Sequence, residues 1–277
     1  MAVRVDAVIE ETVTLSCATY DVLHHGECGD DAVKPAAMEG VSPGATYPER
    51  VRVIGEALTE LRTAGMATVD TPDRELLDTV RLLHDPHRRM YGWYVRRDGD
   101  GETSGGFHLA ESDDLAVAAF TANGVVVLEP IEWDEMYATV LSLLPDVPPV
   151  GSEPLTVPVH PSSVPVDESG WGTQAASGVL GGVPPGAADA QEETAALERV
   201  TSAAAPDFVL QLWASECDPH GREVECDSPL TYYASAHGAA LTVHTRLGEG
   251  REPHVRMLPA TRDALYAELD GLTGCAD

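Results

Sequence analysis

The sequence predicts an α+β fold: two pseudo-symmetric α/β halves sharing a twisted, mostly antiparallel sheet flanked by helices. Three observations carry that expectation. First, a strand–helix unit at mid-chain recurs near the C-terminus at an offset of 129 residues: Pro130 matches Pro259, Asp134 matches Asp263, and Tyr137-Ala138 matches Tyr266-Ala267. The apolar stripe repeats with it, as Met136, Val140 and Leu143 become Leu265, Leu269 and Leu272. Self-similarity at a fixed offset marks a duplicated supersecondary unit. Second, Val-, Ile- and Phe-rich runs flank Ala122-Asn123-Gly124, and Asn-Gly accepts the positive φ that tight hairpin turns need. Third, two capped helices precede Pro86 and a strand meander follows it. The expected organisation is one domain over 1–277, with half-repeats 1–145 and 191–277 joined by a Pro/Gly/Ser-rich linker, 146–190.

Taken in order, Val3, Val5, Ala7 and Ile9 alternate with polar residues and read as a strand within 3–15. Ser16 is an N-cap for a short helix, Cys17 to His25. A Gly/Pro/Asp-rich loop covers 26–45. Thr46-Tyr47-Pro48-Glu49 is a capping box, opening a helix through Val51, Ile54, Leu58 and Leu61 that stops at Gly65. Thr71-Pro72 starts the next helix, with Leu76, Leu77, Val80 and Leu83 on its apolar side, and Asp85-Pro86 ends it. A meander follows: strand 88–97, a turn over 98–106, strand 107–110, then the Asn-Gly hairpin. In the second half a helix is expected over 188–203, strands over 207–216, 223–227, 230–236, 239–246 and 253–258, and the repeated helix over 262–272.

Composition narrows the function classes. A net charge of −29 repels nucleic acid and anionic membrane surfaces, so neither is an expected partner. No run approaches the ~20 apolar residues of a membrane span. The N-terminal MAVRVDAVIEE carries acids where a secretory signal would carry an apolar run, so a cytoplasmic protein is expected. Five cysteines without a CxxC pair, in such a compartment, read as free thiols, although Cys217 and Cys226 flank a turn and could face each other.

Motifs that would carry catalysis fail on their mechanics. Gly40-Val41-Ser42-Pro43-Gly44 has the nucleophile-elbow pattern, but Pro43 has no N–H to give an oxyanion hole and no strand leads into the turn. His84-Asp85-Pro86-His87 and His24-His25-x-x-Cys28 hold metal-capable side chains, but a zinc site needs three or four converging ligands, and Pro86 breaks the helix that would align the histidines. Asp98-Gly99-Asp100-Gly101-Glu102 lacks the further ligands of a calcium loop. No catalytic residue, metal ligand or cofactor is expected. What remains is surface. Strand 88–97 puts Tyr91, Trp93 and Val95 on one face and Gly92, Tyr94 and Arg96 on the other; strand 207–216 has a clean apolar face and a mixed one bearing Val209, Gln211, Trp213 and Ser215. Trp, Tyr and Arg on an open sheet face have the composition of an interface hot spot.

The order of these stretches resembles the EspG family, the cytosolic chaperones of actinobacterial type VII (ESX) secretion. The similar segments are TLSCATYDVL, TYPERVRVIGEALTELRTAGM, PDRELLDTVRLLHDPHRRM, the run from DDLAVAAF through EWDEMYATVLSLLP to EPLTVPV, and the closing HVRMLPATRDALYAEL. GECGDDAVKPAAM departs from the family's early proline–leucine segment, and the 160–190 stretch is unusually rich in Pro and Gly. The resemblance implies a non-enzymatic protein that holds a PE–PPE-type helical heterodimer, or a WXG-type protein, soluble before export. It implies contact through the 97–106 loop, the open sheet face and second-half helices. With the strand pattern it nominates Tyr94, Arg96, Arg97, Asp98, Asp100, Glu102, Gln211 and Trp213 as partner-contacting residues. A second copy of the chain is a further candidate partner. Two other readings are a metal-assisted hydrolase built on the His/Asp-rich loops and an acidic mimic that sequesters a basic protein.

Overall fold

The computed structural model of the chain describes residues 7–29, 31–38, 43–69, 71–99, 101–158, 206–218, 220–247 and 252–273. Among them the first half begins with β1 (Val13–Ser16), helices α1 (Cys17–Cys28), α2 (Tyr47–Thr63) and α3 (Arg74–His84), and a single 3-10 turn at Ala36–Met38. Strands β2 (Arg88–Asp98), β3 (Gly101–Ser112), β4 (Leu115–Ala122) and β5 (Val125–Ile131) form the expected meander, and α4 (Met136–Ser142) closes the half. The second half holds β6 (Leu155–Pro158), β7 (Phe208–Cys217), β8 (Glu223–Glu225), β9 (Leu230–Ser235), β10 (Gly238–Leu247), β11 (Glu252–Pro259) and helix α5 (Arg262–Thr273).

These strands make one antiparallel sheet in the order β1-β5-β4-β3-β2-β7-β9-β10-β11-β6, with β8 paired to β7. The order is five strands of one half mirrored by five of the other, with β2 and β7 meeting at the centre. Register makes the symmetry quantitative. The middle pair of the seam is Gly92 opposite Leu212. Stepping outward, Gly92 pairs with Phe107, Phe107 with Phe120, and Phe120 with Val127. On the other side Leu212 pairs with Leu230, Leu230 with Val243, and Val243 with Arg256. Val127 and Arg256 are thus equivalent, at the offset of 129 residues found between the two proline–helix units. Hydrogen-bond ladders and sequence repeat give the same correspondence independently. The two prolines occupy matching places as well: Pro130 stands opposite Val117 at the end of β5, and Pro259 opposite Ala240 at the end of β11. Near a strand end the missing N–H costs little.

Each face of the sheet carries a core. On one, Met90, Phe107, Leu109 and Ala118 of the first half and Phe208, Leu210, Leu212, Tyr232 and Leu241 of the second are buried under Met136 and Val140 of α4 and Leu269 and Leu272 of α5. The opposite face of the first half packs Val13, Leu15, Ala110, Val117, Ala119, Val126 and Leu128 on Tyr20 and Leu23 of α1, Leu61 of α2 and Leu76, Val80, Leu82 and Leu83 of α3. Polar anchors set how the helices lie. The Ser16 hydroxyl caps α1 by accepting from the Thr19 N–H at 3.1 Å, and the Glu60 carboxylate of α2 accepts from the Ser16 N–H at 2.7 Å and the Thr19 hydroxyl at 2.6 Å. Asp21, only 2% exposed, is paired with Lys34 at 3.0 Å and Arg50 at 2.6 Å.

Several expectations meet departures with physical causes. The stripe read on α2 is rolled: Val53, Ala57 and Leu61 are buried, while Val51 is 51% and Ile54 38% exposed. Both stripes have helical spacing. The choice between them falls to Arg50 reaching Asp21 and Glu60 reaching Ser16, contacts made across elements. The turn read over 98–106 ends at Gly99, because β3 resumes at Gly101. Gly105 and Gly106 are strand residues whose missing side chains admit other groups: a Cβ would lie 2.5 Å from the Tyr94 hydroxyl at Gly105 and 2.5 Å from the Ala37 carbonyl at Gly106. Leu155–Pro158, inside the stretch read as a linker, is the edge strand beside β11. Of the strand expected over 3–15, residues 3–6 lie outside the described residues, and among the described ones β1 begins at Val13. The helix expected over 188–203 and most of the Gly-x-Ser-x-Gly motif lie outside the described residues.

Candidate protein-binding surface

Face assignment on β2 and β7 follows from register, because residues directly opposite in an antiparallel pair share a face. Tyr91 stands opposite Trp213, and Trp93 opposite Gln211. On the other side of β2, Arg97 stands opposite Glu102 of β3. Of the nominated residues, Arg97, Glu102, Gln211 and Trp213 therefore share one face. Tyr94, Arg96 and Asp98 belong to the other, and Asp100 lies outside the described residues.

The first group forms the more coherent surface. Tyr91 stacks on Trp213 with ring centroids 6.0 Å apart and planes inclined by 14°. Trp93 meets Trp213 edge to face at 5.4 Å, and Arg89 sits 5.7 Å over the Tyr91 ring. Such rings add geometry-specific attraction to their large contact area. Short strand β8 fixes one border: the Tyr91 hydroxyl donates to Glu225, and Arg89 bonds both Ser215 and Glu223. Burial, then the bond to Glu225, push the Tyr91 hydroxyl pKa up, so it stays a donor at neutral pH. Trp93, Val95, Val209, Gln211 and Trp213 are half-buried. Tyr91 and Trp93, which the nomination left out, complete this cluster. Their alternation was visible in the sequence, but not their pairing with β7.

At the far end the β2–β3 hairpin outruns its neighbour, since pairing of β3 with β4 begins only at Gly105. Residues 101–104 are exposed there. Arg97 ties the arm down: its guanidinium reaches Glu102 at 2.9 Å and the Pro206 carbonyl at 3.1 Å, and its N–H donates to the Asp207 carbonyl at 2.7 Å. Tyr94 and Arg96 support the arm from behind. Tyr94 stacks on Phe208 at 6.1 Å, and Arg96 lies over the same ring at 5.6 Å.

Packing of α1 on α3 also gathers metal-capable side chains that the sequence left apart. His24 Nε2 lies 3.2 Å from His84 Nδ1, and one ring nitrogen of each histidine and the Cys28 sulfur all fall within 4.8 Å of one another. His24 is fully buried, Cys28 and His84 partly so. Burial, then His84, push His24 down to about 4, so the His24 imidazole is neutral at this contact; burial, then Glu27, push the Cys28 thiol up to about 11. His87 takes no part in this group. The break at Pro86 was legible in the sequence, whereas the approach of α1 to α3 is tertiary. Cys217 and Cys226 do not pair: Cys226 is held against Ala214, while Cys217 stands opposite Glu223. No disulfide joins the described cysteines. Among the described residues no helix is long and apolar enough to cross a membrane.

A family model described as the EspG family matches residues 18–271. No curated protein matches the sequence. Among solved structures, the chain is similar to the Mycobacterium tuberculosis type VII secretion system chaperone EspG5 in complex with a PE25-PPE41 dimer, with a TM-score of 0.62 and 13% identity over 94% of this chain and 95% of that one. At that identity the likeness is one of fold.

Proposed function

The chain belongs to the EspG family, and from that premise we propose that it is a cytosolic chaperone of type VII secretion that binds PE–PPE-like helical substrates and keeps them soluble before export. The observation that carries the proposal is that a chaperone of the same fold, matched over 94% of this chain, is bound to a PE–PPE dimer. The role is binding without a catalytic step, and the whole chain acts as one domain, its halves joined by the nine residue pairs of the β2–β7 seam.

The contact is assigned to the overhanging β2–β3 arm, through Arg97, Asp98 and Glu102, and to the adjoining sheet face, through Gln211 and Trp213. Tyr94 and Arg96 act by holding the arm's base on Phe208. A rim of charges around aromatic anchors is the usual anatomy of a specific interface.

Co-expression with PE–PPE-like pairs encoded in the same genome, followed by size exclusion, tests the proposal. One pair should co-elute with the chain as a stable complex and aggregate without it. If every such pair elutes separately from a folded chain, the proposal fails.

A further inference from the structure

The cluster at the α1–α3 junction has no part in the proposed chaperone surface, yet it is built like a ligand set. His24 and Cys28 are four residues apart on α1, which puts both on one helical face. His84 is the last residue of α3, so its ring hangs from the helix end toward α1. The frame is braced on every side. Arg81 of α3 pairs with Glu27 of α1, and also with Asp78 on its own helix. Asp21, one turn before His25, is pinned by Lys34 and Arg50, and Tyr20 stacks on His24 at 6.2 Å. Beyond His84 lies a cavity of about 310 Å³, lined also by Lys34, Arg89, Tyr91 and His108.

We propose that His24 Nε2, Cys28 Sγ and His84 Nδ1 form a zinc site that staples α1 to α3, with water from the cavity side as fourth ligand. Two imidazole nitrogens bound at about 2.05 Å with tetrahedral geometry stand about 3.3 Å apart. The observed separation is 3.2 Å, so the rings already hold the spacing the ion requires. One sulfur and two nitrogens match zinc's ligand preference, and oxygen-seeking magnesium or calcium would be rejected. An imidazole hydrogen bond alone accounts for the two histidines but leaves a thiol beside them unexplained. Binding balances simply: the Cys28 thiol releases its proton to solvent as the Zn–S bond forms. Whichever ring donates in the contact shifts its own proton to its other nitrogen, Nδ1 of His24 or Nε2 of His84, leaving both ligand nitrogens with free lone pairs. No electron is transferred. The net charge of −29 favours cation capture over the whole molecule.

The test uses the full chain, stripped with a chelator and titrated with Co²⁺ and Zn²⁺. One equivalent of Co²⁺ should give thiolate-to-cobalt charge transfer and tetrahedral d–d bands, which Zn²⁺ then bleaches, and Zn²⁺ should raise Tm. Cys28→Ser should abolish the charge-transfer band, and His84→Gln should weaken binding at least about tenfold, the least that losing even a residue that only orients a ligand costs. Cys17→Ser and His87→Gln should leave both signals intact. Because His24 is buried, His24→Gln is read only if its circular dichroism matches that of the parent. The proposal is overturned if the folded, stripped chain shows neither spectrum nor Tm shift, or if Cys28→Ser and His84→Gln bind as the parent does. Partner co-elution is scored separately, so loss of either proposal leaves the other standing.

Discussion

Gly92 sits at the middle of the β2–β7 seam, and replacing it with alanine should part the two halves. A Cβ there would lie 1.9 Å from the Gln211 carbonyl oxygen, 2.9 Å from its carbon and 3.0 Å from the Phe107 ring. An ordinary contact needs roughly 1.5 Å more, about a third of the ~4.8 Å between neighbouring strands. The obstruction is backbone, so no rotamer change relieves it, and Phe107 is fully buried on the remaining side. Overpacking costs about 1–3 kcal/mol, and losing one or two seam hydrogen bonds adds about 1 kcal/mol each. Gly92→Ala should therefore lose about 2–5 kcal/mol, a large part of the ~5–15 kcal/mol that holds a domain together. Urea unfolding of the full chain measures it from the shift in midpoint at constant slope. Gly55→Ala on exposed α2, where a Cβ meets nothing within 4 Å, is the matched control and should gain about 0.5–1 kcal/mol. If Gly92→Ala unfolds within about 0.5 kcal/mol of the parent, the seam is not the close backbone approach described.

Asp21→Asn removes the carboxylate that pairs Lys34 and Arg50 and should cost about 2–3 kcal/mol in urea unfolding, since both cations stay partly buried. Burial, then the Arg89 guanidinium, push His108 down to about 3. The folded chain keeps it neutral, while the unfolded chain takes a proton near its ordinary pKa of about 6.5. Its contribution is thus fully present above that pH and is lost as pH falls toward 3, by up to ~1.4 kcal/mol per unit. His108→Gln should lose less stability than the parent between pH 7.5 and 5.5, by about 1 kcal/mol in urea midpoints. Trp213→Ala should weaken a co-purified partner at least about tenfold with far-ultraviolet circular dichroism unchanged. Glu102→Arg should weaken it less and raise its salt dependence, both read by titration calorimetry.

Legibility followed the range of the interaction that decides each feature. Ser16, Thr46 with Glu49, and Asn123-Gly124 act within a few residues, and each does what its pattern implies: Glu49 accepts from the Thr46 N–H at 3.0 Å, and Asn123 and Gly124 both take positive φ. The duplicated helix was visible because its apolar stripe and its proline recur together. The roll of α2 was not, because Arg50 and Glu60 choose it from partners 29 and 44 residues away. The faces of the nominated site were only half legible. Alternation separated Tyr91 and Trp93 from Tyr94 and Arg96, yet nothing local told which face of β7 would join them. The joining of His24 and Cys28 to His84 spans 60 residues and two helices, and spacing along either helix alone gives no sign of it.

The symmetry of the seam is broken at its centre. With Gly92 and Leu212 as the central pair, the pseudo-twofold carries Trp93 onto Trp213 and Tyr91 onto Gln211. The two tryptophans are therefore counterparts, but they meet edge to face with planes inclined by 82°. Two rings related by a true twofold through that contact could share an edge-to-face packing only by each playing both parts. The neighbours explain the break. Tyr91 lies flat along Trp213, whereas its counterpart Gln211 offers Trp93 no ring to stack on. The duplication supplies a broad continuous sheet, and the unlike residues at its middle leave the two halves of this face chemically inequivalent.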